Sequence, residues 1–330
     1  MTNELKKIVV MGGGTGTYPV ITGLKKAHVK LSSVIAVSDS GGSTGRIRDE
    51  FGFQPVGDLR QALAALAESE NEEWVRKILL YRFTKGEGLK GHNLGNLLLT
   101  ALQDMTGETT KALEIVERVF GLQGEVLPTT QDNVQLQIRY ENGEVVVGEH
   151  ILDEVLKEPK KIQSVELIPQ AQITPAARRA IVDADMIVIG PGDYYASLFA
   201  ALLPKGMEKA LKETKGKVVY MVNLMTRLTQ THEMTASQHV TGIEALIGRP
   251  VDVVVMNSQV IPDPVLKAYA ESQEFPVQDD MGDDVRVHRA DLLSDALAQK
   301  LSVDTAYRSL LRHDQNKVRQ VLLDVLNEAQ

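Results

Sequence analysis

Two glycine-rich turns, each directly behind a β-branched apolar run, constrain this chain more than any other feature. Gly12-Gly13-Gly14-Thr15-Gly16-Thr17 follows Ile8-Val9-Val10-Met11, and Gly41-Gly42-Ser43-Thr44-Gly45-Arg46 follows Val34-Ile35-Ala36-Val37-Ser38-Asp39. A near-continuous apolar run suits a strand covered on both faces, as in a parallel sheet. A backbone without Cβ atoms approaches an anion closely, and the free N–H groups of a helix start favour negative charge. The two turns therefore predict strand ends that cradle a phosphate-bearing ligand.

The rest of the chain repeats the alternation. Besides Ile8–Met11 and Ser33–Ser38, the runs Met186–Gly190, Val218–Val222 and Val251–Asn257 read as strands. Asp58–Glu68, Asn93–Gln103, Thr109–Phe120, Pro175–Ala184 and Ala236–Gly248 carry helical periodicity. Strands alternating with helices specify an α/β fold with a mostly parallel sheet. Residues 126–168 break the pattern. There Val134–Ile138 alternates with period two, Asn142-Gly143 marks a tight turn, and Val145–Val147 begins a return strand. This predicts an antiparallel β-hairpin inserted into one domain spanning 1–330. Val285-Arg286-Val287 reads as a late strand, and Thr305–Leu311 and Asn316–Leu326 as two short helices joined by Arg312-His313-Asp314.

Composition excludes several function classes. A formal charge of −8 argues against a general nucleic-acid footprint. No apolar run approaches the roughly 20 residues that span a bilayer. Met1–Lys7 is polar, without an export-type apolar core. The absence of cysteine removes disulfides and thiolate chemistry. Together these predict a cytoplasmic protein.

The first turn is not the dinucleotide fingerprint Gly-x-Gly-x-x-Gly: counted from Gly12 the last position is Thr17, and from Gly14 it is Pro19. The Gly-Lys-Ser/Thr of a Walker loop is also missing. Asp39, at a strand end, could orient a hydroxyl or hold Mg²⁺, and Arg46 could take a phosphate in bidentate fashion, while Arg48 reads as a solvated neighbour. Asp58, after Gly57, is either a helix N-cap or a second site carboxylate. Gly91-His92-Asn93-Leu94-Gly95-Asn96 gathers more polar side chains at a helix start than capping requires. Gly190-Pro191-Gly192-Asp193-Tyr194-Tyr195-Ala196-Ser197 and Asn223 occupy further strand ends, where open α/β sheets bind ligands. Ser197 has no nucleophile-elbow context, and His232 and His239 read as loop or surface residues.

Taken in order, these segments resemble the YvcK family of gluconeogenesis factors, relatives of the CofD 2-phospho-lactate transferases. The likeness rests on Gly12–Gly16, Asp39 with Gly41–Arg46, Gly57-Asp58, Gly91–Asn96, Gly190–Ser197, Asn223–Thr226 and Arg312-His313-Asp314. It implies a Rossmann-like three-layer fold with a ligand crevice at the strand ends. For the YvcK branch it implies binding of a UDP-sugar such as UDP-N-acetylglucosamine or UDP-glucose, with Arg312 in the nucleotide-sugar site. It further implies a role in cell shape and in growth on gluconeogenic carbon sources, a homodimer, and regulators of cell-wall synthesis as partners. For the transferase relatives it implies Mg²⁺-assisted transfer of phospholactate from a nucleotide diphosphate carrier to a deazaflavin alcohol.

Two positions depart from the family pattern. Members carry adjacent acids where this chain has Asp39-Ser40, which weakens a divalent-metal site. Gln315 stands where a phosphorylatable threonine follows Arg-His-Asp. The expectation is a regulatory UDP-sugar-binding protein. Gly12–Thr17 and Gly41–Arg46, with Ser40 and Ser43, would cradle the diphosphate, and Arg46 or Arg312 would neutralise it. His92, Asn93 and Asn96 would bind sugar or phosphate oxygens, Gly190 and Gly192 would offer main-chain amides, and Tyr195, Ser197 and Asn223 would face the nucleoside. The alternative is a Mg²⁺-dependent phosphotransferase with Asp39 and Asp58 as its carboxylates.

Overall fold

The computed structural model describes residues 4–67, 72–149, 152, 158–295 and 310–328. Strands β1 (Lys6–Gly12), β2 (Val29–Ile35) and β3 (Glu125–Pro128) form one half of a parallel sheet. A separate antiparallel sheet follows, made of β4 (Gln135–Tyr140), β5 (Val145–Val147) and β6 (Ile162–Ile168). The chain then returns to the main sheet as β7 (Met186–Ile189), β8 (Lys217–Met221), β9 (Val253–Asn257) and β10 (Val287–Ala290). The seven strands lie in the order β10-β9-β8-β7-β1-β2-β3. Strand succession therefore runs outward from β1 in one direction and from β7 in the other. The helices that follow β1 and β7 pack on opposite faces of the sheet, which makes the junction between these strands a topological switch point, where open α/β sheets bind ligands.

Twelve α-helices accompany the strands among the described residues: α1 (Tyr18–Leu24), α2 (Gly42–Phe51), α3 (Gly57–Leu66), α4 (Glu72–Leu80), α5 (Leu94–Thr106), α6 (Thr109–Phe120), α7 (Pro175–Val182), α8 (Ala200–Leu202), α9 (Met207–Glu213), α10 (Ala236–Ile247), α11 (Asp263–Ala270) and α12 (Gln315–Asn327). A π-helix, Tyr194–Phe199, runs into α8. The pleat of β1 explains the three layers. Successive side chains point to opposite faces, so Ile8 and Val10 join a core with Val20 and Ile21 of α1, Leu63 of α3 and Leu322 of α12. Val9 and Met11 join another core with Ile181 of α7, Met207 of α9 and Ile243 of α10. None of the described helices is long and apolar enough to cross a membrane.

The α/β class and the parallel sheet agree with the sequence expectation, and several boundaries correct it. The second strand is Val29–Ile35 rather than Ser33–Ser38, because its ladder with β1 begins at Lys6 and Val29. Lys30, Ser32 and Ser33 hide it in the sequence, and Ser32 is satisfied by donating to Glu125 at 2.7 Å. Glu125–Pro128 is an edge strand of the main sheet, so the inserted sheet begins at Gln135; it contains the expected antiparallel hairpin, β4 and β5, with β6 added on the other side of β4. The second glycine segment is no loop, since Gly42 opens α2 and Ser43, Thr44 and Arg46 lie on that helix. Val285 is exposed and the last strand starts at Val287. Of the expected helix Thr305–Leu311, residues 305–309 lie outside the described ones, and Leu310 and Leu311 are not helical. His239 is fully buried on α10 rather than at the surface.

Candidate functional site

The segments leaving the sheet at the switch point border a crevice of about 500 Å³. Close packing between those segments explains the glycines of the β1–α1 turn. A Cβ on Gly16 would lie 2.4 Å from Gly192 Cα, one on Gly14 would lie 2.3 Å from the Asp58 carbonyl oxygen, and one on Gly13 would lie 2.6 Å from Ser197 Oγ. The turn after β1 thus docks directly on the turn after β7 and on the start of α3. Thr17, buried at the N-cap of α1, closes the turn by donating its hydroxyl to the Gly13 carbonyl. Of the expected residues, Thr15, Gly16, Asp39, Gly41, Ser43, Asp58, Asn96, Gly192, Ser197, Asn223 and Arg312 line the crevice.

One end is acidic and hydrogen-bonded. Asp39 accepts from the Gly41 amide at 2.8 Å and from the Thr44 hydroxyl. Asp58 accepts from the Gly14 amide. Burial pushes both carboxyls above their ordinary range, and the charge of Asp39 helps carry Asp58 to about 7. Arg60 opposes the rise at both groups. Its guanidinium is buried, donating from Nε to Asn96 Oδ1 at 2.7 Å and from Nη1 to the Leu79 carbonyl at 3.3 Å. Asn96 passes the network on, with Nδ2 3.2 Å from Thr44 Oγ1 and 3.4 Å from Ser43 Oγ.

The rest of the lining mixes ion pairs with apolar wall. Asn223 clasps the turn after β7, donating to the Gly192 carbonyl at 2.8 Å and accepting from its amide at 3.3 Å. Arg227 pairs with Asp193 at 3.1 Å and lies 3.8 Å from Glu274. The Leu311 amide donates to Tyr269 Oη at 2.9 Å, and the Ser294 amide donates to the Arg312 carbonyl at 3.0 Å. These bonds set Arg312 and His313 on the wall beside Met225, Tyr269 and Leu311, three members of one apolar cluster.

The remaining expected residues stand apart from the crevice. Asn93 caps α5, accepting from the Asn96 amide at 3.2 Å, and His92 backs Ser43 with Nδ1 3.3 Å from its Oγ. Tyr195 turns into an aromatic cluster, its ring centroid 5.0 Å from Tyr194 and 4.9 Å from Phe199. Gly12 and Gly190 form the turns that leave β1 and β7, Gly42 begins α2, and the Ser40 carbonyl packs against Gly45. Arg46 is exposed beside Gly91, whereas the Arg48 side chain is only 10% exposed, bonds Asp49 and acts on Asp39. The two side chains differ in exposure because helical residues two apart face opposite sides.

Comparison with known proteins decides the lineage. A family model described as 2-phospho-L-lactate transferase CofD matches residues 8–297. This chain belongs to the CofD family. Within the CofD family it sides with the gluconeogenesis factors. That of Bacillus subtilis (strain 168) is 36% identical over 326 residues, covering 98% of each chain. That of Halalkalibacterium halodurans is 35% identical over 321 residues, covering 97% of this chain and 96% of the relative. A crystal structure of a Bacillus halodurans protein superimposes with a TM-score of 0.87 at 33% identity, over 97% of this chain and 100% of that one.

Sequence reasoning missed several residues that complete this CofD-family crevice. Arg60 had a readable signal, a lone charge inside the apolar stretch Leu59–Leu66. Arg82, which donates to the Gly91 carbonyl at 2.8 Å, and Arg227 and Glu274 carry no local pattern. A Mg²⁺ ion, which the transferase side of the CofD family implies, is held by one or two carboxylates plus ligand phosphates. Asp39 and Asp58 fit that donor set.

The raised Asp58 carboxyl makes ligand affinity depend on pH. Below about pH 7 the group is neutral, and above it the crevice gains a negative charge. In EDTA, calorimetry with UDP should show binding several-fold tighter at pH 6 than at pH 8. Asp58→Asn should abolish the difference by tightening binding at pH 8; a variant that binds UDP more weakly at pH 8 contradicts this account. For folding the sign is also fixed. The native state keeps a proton that the unfolded chain releases, so the contribution of Asp58 to stability falls as pH rises from its ordinary 3.8 toward 7.

Proposed function

We propose that this CofD-family protein binds a UDP-sugar in the switch-point crevice and serves as a regulatory gluconeogenesis factor whose output follows occupancy. The carrying observation is a convergence: turns from β1, β7 and the start of α3 meet on one crevice that Arg60, Arg82, Arg227 and Arg312 also line. Guanidinium groups beside main-chain turns suit a diphosphate. Ser43, Asp39 and Asn96 supply the hydrogen-bonding variety that sugar hydroxyls need. The named relatives support the metabolic side of the reading. Growth on gluconeogenic carbon sources and cell shape are its physiological readouts, with a cytoplasmic homodimer and regulators of cell-wall synthesis as its assembly and partners.

Calorimetry with UDP-N-acetylglucosamine should give a saturable isotherm, with UDP-glucose as the competing sugar. Arg312→Ala should weaken binding about tenfold or more, the scale of one charge-assisted phosphate contact. Absence of binding at millimolar ligand rejects the reading.

One observation favours a second reading, a Mg²⁺-dependent phosphotransferase. Asp39 and Asp58 lie in the same crevice as the arginines and interact electrostatically. Ser40 in place of a second adjacent acid counts against it. Nucleotide monophosphate released from a nucleotide diphosphate donor with acceptor and Mg²⁺, and lost in Asp39→Asn, would make the protein an enzyme.

A further inference from the structure

His313 is explained neither by phosphate binding nor by the carboxylate end. The residue is 8% exposed and belongs to the crevice wall. Nε2 is buried and has no hydrogen-bond partner among the described residues. Burial drives its pKa down to about 4, so the ring is neutral. A buried imidazole nitrogen without a partner costs stability in the free protein, and native structures retain few such groups without a use.

The surroundings narrow what the ring can meet. His313 bridges to Leu293, which packs with Met225, Tyr269 and Leu311 in one apolar cluster. A neutral ring cannot compete with Arg227 or Arg312 for a phosphate. A sugar, with hydroxyls all round, is better served by Asp39, Ser43 and Asn96. An apolar wall with one neutral donor-acceptor group beside it matches the face and edge of a heterocycle.

We propose that His313 reads the edge of the ligand's heterocyclic base through an imidazole nitrogen, which seats the base against Met225, Tyr269 and Leu311 and directs the sugar toward Asp39 and Asp58. This rests on the UDP-sugar reading and adds the orientation of the ligand. The diphosphate then crosses the middle of the crevice, past Gly192 and the arginines. The nucleoside lies away from Tyr195, whose ring is committed to its aromatic neighbours.

The test compares ligands with and without the base, using the full chain. In His313→Leu, affinity for UMP, UDP and UDP-N-acetylglucosamine should fall by a common factor of about ten, the scale of one hydrogen bond. Binding of N-acetylglucosamine-1-phosphate should not change, and the thermal midpoint should hold or rise, because an unpartnered polar group has been removed. A merely structural histidine would give the reverse, a lower midpoint with unchanged affinities. A second measurement needs no ligand-binding variant. The ring ¹⁵N resonances of His313 in the wild-type protein, assigned by their loss in His313→Gln, should shift on addition of UMP and stay fixed with N-acetylglucosamine-1-phosphate. Shifts with the sugar phosphate alone overturn the orientation. Wild-type protein that binds none of the uridine ligands overturns the UDP-sugar reading and the orientation with it. Unchanged affinities in His313→Leu beside a binding wild type overturn the orientation alone.

Discussion

Arg60→Met should lower the free energy of unfolding by about 3–5 kcal/mol, the range for removing one partner from a buried charged network. Arg60 is 7% exposed, donates to Asn96 Oδ1 and the Leu79 carbonyl, and offsets the charge of Asp39 and Asp58. Methionine fills much of the same space but leaves Asn96 Oδ1 without this donor and two carboxyls without the one arginine charge that acts on both. Urea unfolding at pH 8 is the direct measurement. At pH 5, where the carboxyls more readily take up protons, the loss should be smaller. Adding Asp58→Asn to Arg60→Met should restore part of the stability at pH 8, a coupling expected only between groups that interact. A loss below about 1 kcal/mol at pH 8 would show that the crevice carboxylates do not depend on this guanidinium.

Gly16→Ala should abolish nucleotide-sugar binding at a cost in stability of about 1–3 kcal/mol, the usual price of overpacking. The added methyl would stand 2.4 Å from Gly192 Cα and 2.5 Å from the Pro191 carbonyl oxygen, both backbone atoms. Neither can rotate away, so the turns after β1 and β7 must separate. Asn223 holds the Gly192 peptide from the other side by two hydrogen bonds, which leaves the β7 turn little freedom to yield. Calorimetry on the variant, with circular dichroism to establish that it is folded, separates the effects. A folded Gly16→Ala protein that binds UDP-N-acetylglucosamine like wild type would mean that the contact between the turns is irrelevant to the ligand.

Legibility in the sequence followed the locality of the physics. Ile8–Met11 and Met186–Ile189 were visible because strands buried on both faces must be apolar at every position. Helix α6, Thr109–Phe120, was readable to the residue because an amphipathic stripe and a following glycine are local signals. Strand β2 was misplaced because Lys30, Ser32 and Ser33 find their surroundings in β1 and β3 rather than in their own segment. The glycine turns were recognised as special, yet their crowding is against other parts of the protein: Gly16 against Gly192, Gly14 against the Asp58 backbone, Gly45 against the Ser40 carbonyl. A glycine required by a neighbouring backbone looks the same in sequence as one required by a phosphate.

From its order of residues alone, the chain determined an α/β architecture with parallel strands, glycine turns at the strand ends, and the residues that tie it to the CofD family. Those properties depend on side-chain period and on conformations available to single residues, which any short window contains. Only the tertiary structure decided that Arg60 offsets Asp39 and Asp58, that the Arg48 side chain is largely covered and acts on Asp39 while Arg46 is exposed, and that His313 belongs to the crevice wall. Burial and charge compensation are properties of groups brought together from distant parts of the chain, and strand order, which no local pattern encodes, is what brings them together.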